Sequence, residues 1–547
     1  MIASRHSDAN AACRLTPSLA CYKKIAMNNH RKRVHPGSEK VSAPSRAALS
    51  ALLWEKLFRE TSESLGLQGR IRQMLVAAIT QGHLTPDAPV PSSRFLSDTL
   101  KVARNTVVFA YQELVSEGYL VTRNRSGHFV GQAAQQRNML DIIASPGSDD
   151  ETDFWHERIH ARPSQQRNIR KPANWQTQPY PFVYGQFDPA LFPTSEWREC
   201  CMKALSIVDI RSWAQDLIMM DDPEIIAAIQ NQVLPRRGFS ATKDEIMVTV
   251  GAQHALYLLA DLLVRPGNKV GMEEPGYPDA RNIFSSRTRH VVPVPVNEEG
   301  VDVEAITADM DMVFVTPSHQ CPTGVTMSMA RRQALLEKAG ACNTVIVEDD
   351  FEFENSFIDK PFPALKSLDQ NGRVIYVGSL SKTFAPGLRL GFIVGPKPLI
   401  DELRALKRLM LRHAPSFLQR AFALFVSLGH YQSFLRRQSQ IYGQRERALR
   451  DALMTYLPTF QIISSPGGSF CWVRAPEHID TTALTAVALQ NGIVLEPGEV
   501  FFSRVSKSAR RYIRFGYGSI DEPKIAVGIR TLAELVAQHF PAASRKR

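Results

Sequence analysis

Cysteine is scarce in this chain. Seven of 547 residues are cysteine; the number is odd, and none sits in a CxxC pair or a His/Cys cluster with metal-ligand spacing. Cys13, Cys21, Cys200, Cys201, Cys321, Cys342 and Cys471 therefore read as reduced thiols, mostly buried, and no metal site is expected. Long apolar runs are missing too. Ala255–Val264 is broken by Asp261, and no stretch reaches the roughly 18 uninterrupted apolar residues of a membrane span. A secretory core is also lacking, because Arg14, Lys23, Lys24 and the Arg31–Arg33 cluster interrupt the N-terminal region. No internal repeat is found. These absences argue against a disulfide scaffold, a zinc module and a membrane protein, and the cytoplasm is the expected location.

What is present suits a large globular protein, with 44% hydrophobic and 22% charged residues. The length exceeds one ordinary core, so two or three domains are expected. The net charge of +11 is unevenly placed: residues 1–131 carry 18 Lys/Arg against 9 Asp/Glu, and the rest carry 47 against 45. A basic end on a nearly neutral body fits a polyanionic partner. For residues 1–50 a plain solvated tail fits equally, since Ser, Asn, Pro and Lys/Arg leave little to pack.

Residues 51–131 carry the pattern of three helices and a hairpin. Leu67, Ile71, Met74, Leu75, Ala78 and Ile79 fall at helical spacing, and Gly82 follows. Ser92 or Ser93 caps a short second helix through Leu100, and a third runs from about Ala103 to Glu117. Tyr119–Arg123 and His128–Val130 then flank a Gly-bearing turn, Asn124–Gly127. The sum describes a winged helix-turn-helix. Its third helix presents Arg104, Asn105 and Thr106 first, suited to base edges or phosphates in the major groove of double-stranded DNA. Ser92 and Arg94 begin the preceding helix, a place for a phosphate. Arg123 and Arg125 lie on the wing, within reach of the flanking backbone or minor groove, while Val107, Ala110, Leu114 and Leu120 are expected in the core.

Residues 132–180 are rich in Gln, Asn, Ser and Pro and read as a linker. Across 181–540, short β-rich runs alternate with helical stretches, which implies a mainly parallel sheet with helices on both faces. Residues 461–520 hold three more expected strands and a smaller α+β part. The chemical signal is strongest at Ser379–Gly391, SLSKTFAPGLRLG, directly after the strand Val374–Val377. Lys382 is placed to condense with an aldehyde, and Ser379 and Arg389 pair a hydroxyl with a guanidinium around a phosphate dianion. A P-loop is excluded because GxxxxGK[ST] is absent; a surface lysine is the plain alternative. Val248–Gln253 is a strand entering a helix through Gly251, so the amides at Ala252 and Gln253 suit the same phosphate. In the turn Glu273–Pro278, Tyr277 is positioned to stack on an aromatic ring. The strand Val345–Asp350 ends in carboxylates, and alternation puts Val345, Val347, Asp349 and Phe351 on one face.

The motifs at 90–94, 103–107 and 111–119 together resemble the GntR family of bacterial regulators over residues 67–131. The lysine motif resembles that of fold-type I pyridoxal-phosphate enzymes. The two in this order, with GQFDPALFP at 185–193 and TPSHQ at 316–320, resemble the MocR subfamily, over roughly residues 55–540, and within it the branch that controls taurine or ectoine use. The resemblance implies pyridoxal 5'-phosphate held as a Schiff base on Lys382, with Asp349 against the pyridine nitrogen and Arg514 clamping an effector's acid group. It further implies a homodimer, an operator, and an amino compound that exchanges with the lysine as an external aldimine. The chain departs from the family at Phe351, where a tyrosine is usual, at Asp216–Pro223, which lacks a usual Tyr- and Gly-containing segment, at Val250 and at Cys321. His319 or Gln320 is the expected substitute donor beside Cys321. These departures favour a sensor over a working enzyme; an active aminotransferase with a DNA-binding appendage and a cofactor-free dimerisation scaffold are the competing readings.

Overall fold

The computed structural model describes residues 51–123, 127–131, 149–216, 218–355 and 362–541. Arg125, Cys13, Cys21, the basic tail and residues 132–148 of the expected linker lie outside them. Two compact units divide between His160 and Ala161.

In the first unit, α1 (Ala51–Arg59), α2 (Leu67–Thr80), α3 (Ser93–Leu100) and α4 (Arg104–Ser116) precede a hairpin of β1 (Leu120–Arg123) and β2 (Gly127–Val130). The expected core positions close around one cluster: Ile71, Met74, Leu75 and Ala78 of α2 meet Val107, Ala110 and Leu114 of α4 and Leu120 of β1, all essentially without solvent exposure. Trp54 of α1, a helix the periodicity left unassigned, fills the same core. Ser92 rather than Ser93 caps α3, its hydroxyl oxygen accepting from the Phe95 amide at 3.1 Å. A further helix, Asp149–Arg158, occupies part of the expected linker.

The second unit is built on an eight-stranded sheet. Its strands are β4 (Ile246–Thr249), β5 (Lys269–Glu274), β6 (His290–Asn297), β7 (Gly300–Val301), β8 (Met312–Val315), β9 (Val345–Asp350), β10 (Val374–Ser379) and β11 (Gly391–Val394), in the order 4-11-10-9-8-5-6-7. Pairs 10-9, 9-8, 8-5 and 5-6 are parallel, whereas β11 runs antiparallel to both β10 and β4. The sheet is thus mixed, with the parallel core the alternation implies. Helices cover both faces. Val347 packs with Leu256 and Leu259 on one side, and Ile346 packs with Leu335 and Val313 on the other.

β4 is an edge strand, and its open side is closed by side chains. The Val248 amide donates to Asp221 at 3.0 Å, while Lys407 and Arg404 donate to the Val248 and Ile246 carbonyls at 3.0 and 2.6 Å. Asp222 caps the helix Pro223–Ala228 and takes the Arg420 guanidinium at 2.8 Å. In the segment that departs from the family, Asp221 therefore anchors the sheet edge, and Asp222 ties the helix Pro223–Ala228 to Arg420.

The smaller part holds β12 (Gln461–Ile462), β13 (Phe470–Arg474), β14 (Ile493–Val494), β15 (Glu496–Pro497) and β16 (Tyr512–Gly516), five short strands where three were expected. β14 pairs with β3 (Tyr180–Pro181). Residues 161–180, expected as linker, thus belong to the second unit: Arg167 donates to the Phe502 carbonyl at 3.1 Å, and Asn282 to the Arg167 carbonyl at 3.0 Å.

Candidate functional sites

On the first unit, Arg104 and Asn105 stand exposed at the start of α4, and Arg94 is exposed at the start of α3. Thr106 is half-buried, its amide bonded to the Ala103 carbonyl at 3.0 Å. Arg104 Nε donates to Ser93 Oγ at 3.3 Å, which ties the first turns of the two helices together. Arg123, expected to reach the flanking backbone or minor groove, is half-exposed on the wing. Its guanidinium is bound by Asp87 and lies 4.5 Å from the Phe129 ring centre, so it braces the wing.

On the second unit, a cavity of about 360 Å³ opens where β9 and β10 end. Open α/β sheets bind ligands beyond the carboxyl ends of their strands. Lys382, Asp349, Tyr277, Ser379, Arg389, Ala252, Gln253, Phe351 and Arg514 all line it, joined by Lys171, Tyr184 and Asp279. These nine expected residues come from positions 252 to 514; eight gather at the end of the large sheet, and Arg514 reaches the cavity from β16 of the smaller one.

Strand alternation explains the division of labour on β9. Asp349 faces the cavity. Its neighbours Glu348 and Asp350 point into the scaffold, where Glu348 accepts from the Leu365 and Lys366 amides at 2.8 and 2.9 Å, and Asp350 takes Arg237 and Tyr376 at 2.6 and 2.9 Å. Asp349 Oδ1 is buried without a hydrogen-bond partner, and burial pushes its carboxyl up to about 7 although Lys382 opposes the shift. A buried acceptor with no donor is costly, and a protonated ring nitrogen is a donor that satisfies it. Lys382 Nζ stands 4.4 Å from the Phe351 ring centre and 4.7 Å from that of Tyr184; burial lowers its ammonium, and the Glu352 and Asp349 carboxyls oppose that shift.

The phosphate end is a cradle. Gly251 opens the helix Gly251–Leu263 with φ +76°, and a Cβ there would lie 2.9 Å from Arg389 Nη2. Only glycine allows both that backbone and that approach. The first-turn amides at Ala252 and Gln253 have no carbonyl within the helix to reach, and with Arg389 and Ser379 they converge on one corner of the cavity. Donors, cradle and unpartnered carboxylate together fit a phosphorylated pyridine.

At the opposite end Arg514 is wholly buried. Its Nε donates to Glu496 at 2.8 Å, its Nη2 has no partner, and it lies over the Tyr184 ring at 4.0 Å. Glu496 thus occupies Nε, Nη2 is left unpartnered for an acid group, and Nη1 faces only the Cys321 sulfur. Cys321 Sγ is 4.0 Å from Nη1, and burial pushes the thiol up to about 12, so it stays protonated. The expected substitute donors are not in the cavity. Gln320 is consumed by Glu273, the Pro275 and Cys321 carbonyls and Thr323, at 2.6–3.0 Å. His319 lies in a separate small pocket against Phe470, and burial pushes it down to about 4.

Sequence reasoning missed Lys171, Tyr184 and Glu496. Lys171 and Tyr184 come from irregular or barely extended chain, where periodicity carries no signal; Glu496 sits on a two-residue strand. Among the described residues no cluster of His, Cys, Asp and Glu could hold a metal, and no helix is long and apolar enough to cross a membrane. Cys200, Cys201, Cys321, Cys342 and Cys471 are free thiols.

A winged helix joined to an aminotransferase frame with a lysine-bearing cavity defines a two-part class of bacterial regulator. Residues 67–130 match bacterial regulatory proteins of the gntR family, and residues 215–532 match aminotransferase class I and II. The chain is 39% identical to the HTH-type transcriptional regulator TauR of Rhodobacter capsulatus over 479 residues, 88% of this chain and 98% of that protein. It is 32% identical to the probable rhizopine catabolism regulatory protein MocR of Rhizobium meliloti, over 85% of this chain and 92% of that one. The α-aminoadipate aminotransferase LysN of Thermus thermophilus, solved with N-(5'-phosphopyridoxyl)-L-leucine, superposes with a TM-score of 0.64 at 25% identity, covering 70% of this chain and 98% of that one. The chain belongs to the MocR-type branch of the GntR family of transcription regulators.

Proposed function

We propose that this regulator holds pyridoxal 5'-phosphate on Lys382 and reads an amine-bearing acid in the same cavity. The cofactor supplies an aldehyde carbon that condenses reversibly with amines. Lys382 provides the resident amine, and Asp349 keeps a proton on the ring nitrogen. Tyr277 covers a ring face, Ser379, Arg389 and the amides at Ala252 and Gln253 hold the phosphate, and Arg514 takes the acid group. The observation that carries this reading is the convergence of Lys382, the unpartnered Asp349 and the Gly251–Arg389 cradle in one cavity.

Regulation is favoured over turnover by the regulators among the relatives and by the cavity itself. Phe351 offers no hydroxyl to the ring, and neither His319 nor Gln320 replaces the donor missing at Cys321. A working aminotransferase is the second reading, favoured by the intact lysine, aspartate and arginine set. The protein acts as a cytoplasmic homodimer on paired operator half-sites, with ligand and DNA sites coupled through the arrangement of its parts. The exposed apolar side chains of Met202, Ile207, Val208 and Met220 support self-association.

The test is binding to the DNA upstream of the protein's own gene, at fixed salt, with and without cofactor and amines. Wild type should respond and Lys382→Ala should bind DNA without responding; identical behaviour under every ligand condition would leave the domain a passive scaffold. In the same assay Arg104→Ala should weaken specific binding by about 1–3 kcal/mol and relax base preference at one position. A uniform loss with a shallower salt slope would instead put Arg104 on a phosphate.

A further inference from the structure

Lys171 brings a second cation to the acid end of the cavity. It lies on irregular chain fixed from outside: Arg167 bonds the Phe502 and Glu499 carbonyls, and its own carbonyl accepts from Asn282. This fastening puts Ile169 and Lys171 in the cavity wall beside Tyr184 and Arg514. The ammonium donates to the Tyr184 carbonyl and passes next to Gly185, where an added Cβ would stand 3.7 Å from Nζ. One carboxylate serves both cations. Glu496 accepts from Arg514 at 2.8 Å through Oε2, while Oε1 is 3.8 Å from Lys171 Nζ, too far for a hydrogen bond. Oε1 and Arg514 Nη2 are both buried without partners.

Two cations against one carboxylate leave a single positive charge where Arg514 and Glu496 are buried and the Lys171 side chain is 24% exposed, with donors unused on Lys171 and Arg514. Such a surplus is expensive to bury unless a negative group completes it. Lys171 and Glu496 form an ion pair that stops short of a hydrogen bond, so the ammonium is not fully engaged by the carboxylate. On the Tyr277 side of the cavity stands Asp279, which accepts from the Tyr277 hydroxyl at 3.2 Å and disfavours a second acid group there.

Building on the sensor reading above, we propose that Lys171 and Arg514 form a two-cation seat, trimmed to one net charge by Glu496, for the single acid group of an amino monoacid effector. Carboxylates and sulfonates share the required chemistry. Arg514 binds the acid group through Nη2, and Lys171 takes an oxygen on the flank.

The test titrates the cofactor-loaded full chain with β-alanine, taurine, L-aspartate and n-propylamine, following cofactor absorbance. β-Alanine or taurine should bind at least about tenfold more tightly than n-propylamine and L-aspartate, and the tighter of the two names the acid. Lys171→Gln should weaken both monoacids about 10- to 100-fold, the loss of one charge-assisted bond. It should leave n-propylamine and cofactor content unchanged, and Lys171→Arg should recover most of the loss. Equal losses for n-propylamine, or none for the monoacids, would overturn the seat. Absence of any absorbance change with any amine in wild type would instead overturn the sensor reading beneath it.

Discussion

Replacing Asp349 with asparagine is expected to act in opposite directions on the cofactor-free and the cofactor-loaded protein. The carboxyl is buried, Oδ1 has no partner, and its folded value is pushed up to about 7, whereas an unfolded aspartate titrates near ~3.9. A folded value above the unfolded one means that the native state holds the proton more tightly. Stability from this group is full below pH ~4 and is lost as pH rises toward and through about 7. At pH 8 the stripped wild-type protein therefore carries a penalty on the order of 2–4 kcal/mol that Asp349→Asn removes. Thermal scans of cofactor-free protein should show the variant melting higher at pH 8, with the gap shrinking by pH 5. With pyridoxal phosphate present the order should reverse in affinity. A neutral amide cannot hold the ring nitrogen protonated, and losing a charge-assisted hydrogen bond costs about 1.5–3 kcal/mol, roughly 10- to 150-fold in binding. A variant less stable than wild type at pH 8 without cofactor would show that Lys382 already pays the carboxylate's desolvation.

The residues that make this prediction possible were legible in the sequence because each lies in a local pattern with one structural solution. Val345–Asp350 is an apolar strand ending in acids; alternation separates Asp349 from Glu348 and Asp350, which the fold uses on the scaffold side, and the family resemblance singled out Asp349. Gly251 and the lysine motif sit at strand-to-helix turns for the same reason. What stayed hidden depends on long-range contact. Lys171 meets Glu496 across 325 positions, and no period in the sequence announces it. The wing is an intermediate case: the hairpin was legible from its glycine, but Arg123 closes on Asp87 through a loop whose course only the fold decides. Gln320 shows the reverse error. Its position beside Cys321 suggested a ligand donor, yet buried Glu273 and three carbonyl or hydroxyl partners claim the whole amide.

Asp221→Ala is expected to be the most destabilising of the substitutions considered, because one carboxylate does three jobs at the edge of the sheet. It accepts the outward amide of Val248, and it neutralises Arg404 and Lys407, each at 2.8 Å, while those two cations donate to the β4 carbonyls. Together the three side chains do what a neighbouring strand would do, and they keep the edge from pairing with another chain. Burial already lowers the Lys407 ammonium, with Asp221 opposing that shift. Removing the carboxylate leaves a buried cation unpaired and an edge amide unsatisfied, a loss of about 3–5 kcal/mol. Lys407→Met in the same background restores part of it, since an apolar side chain of similar length needs no counter-charge. Denaturant melts of the two variants measure this. The consequence reaches the cavity as well, because β4 runs directly into Val250 and the Gly251 cradle. Cofactor affinity should fall in Asp221→Ala even where the protein remains folded, while the winged helix, whose core is made entirely of its own residues, should keep its fold. Undisturbed stability and cofactor binding in Asp221→Ala would mean that water replaces the carboxylate at the strand edge.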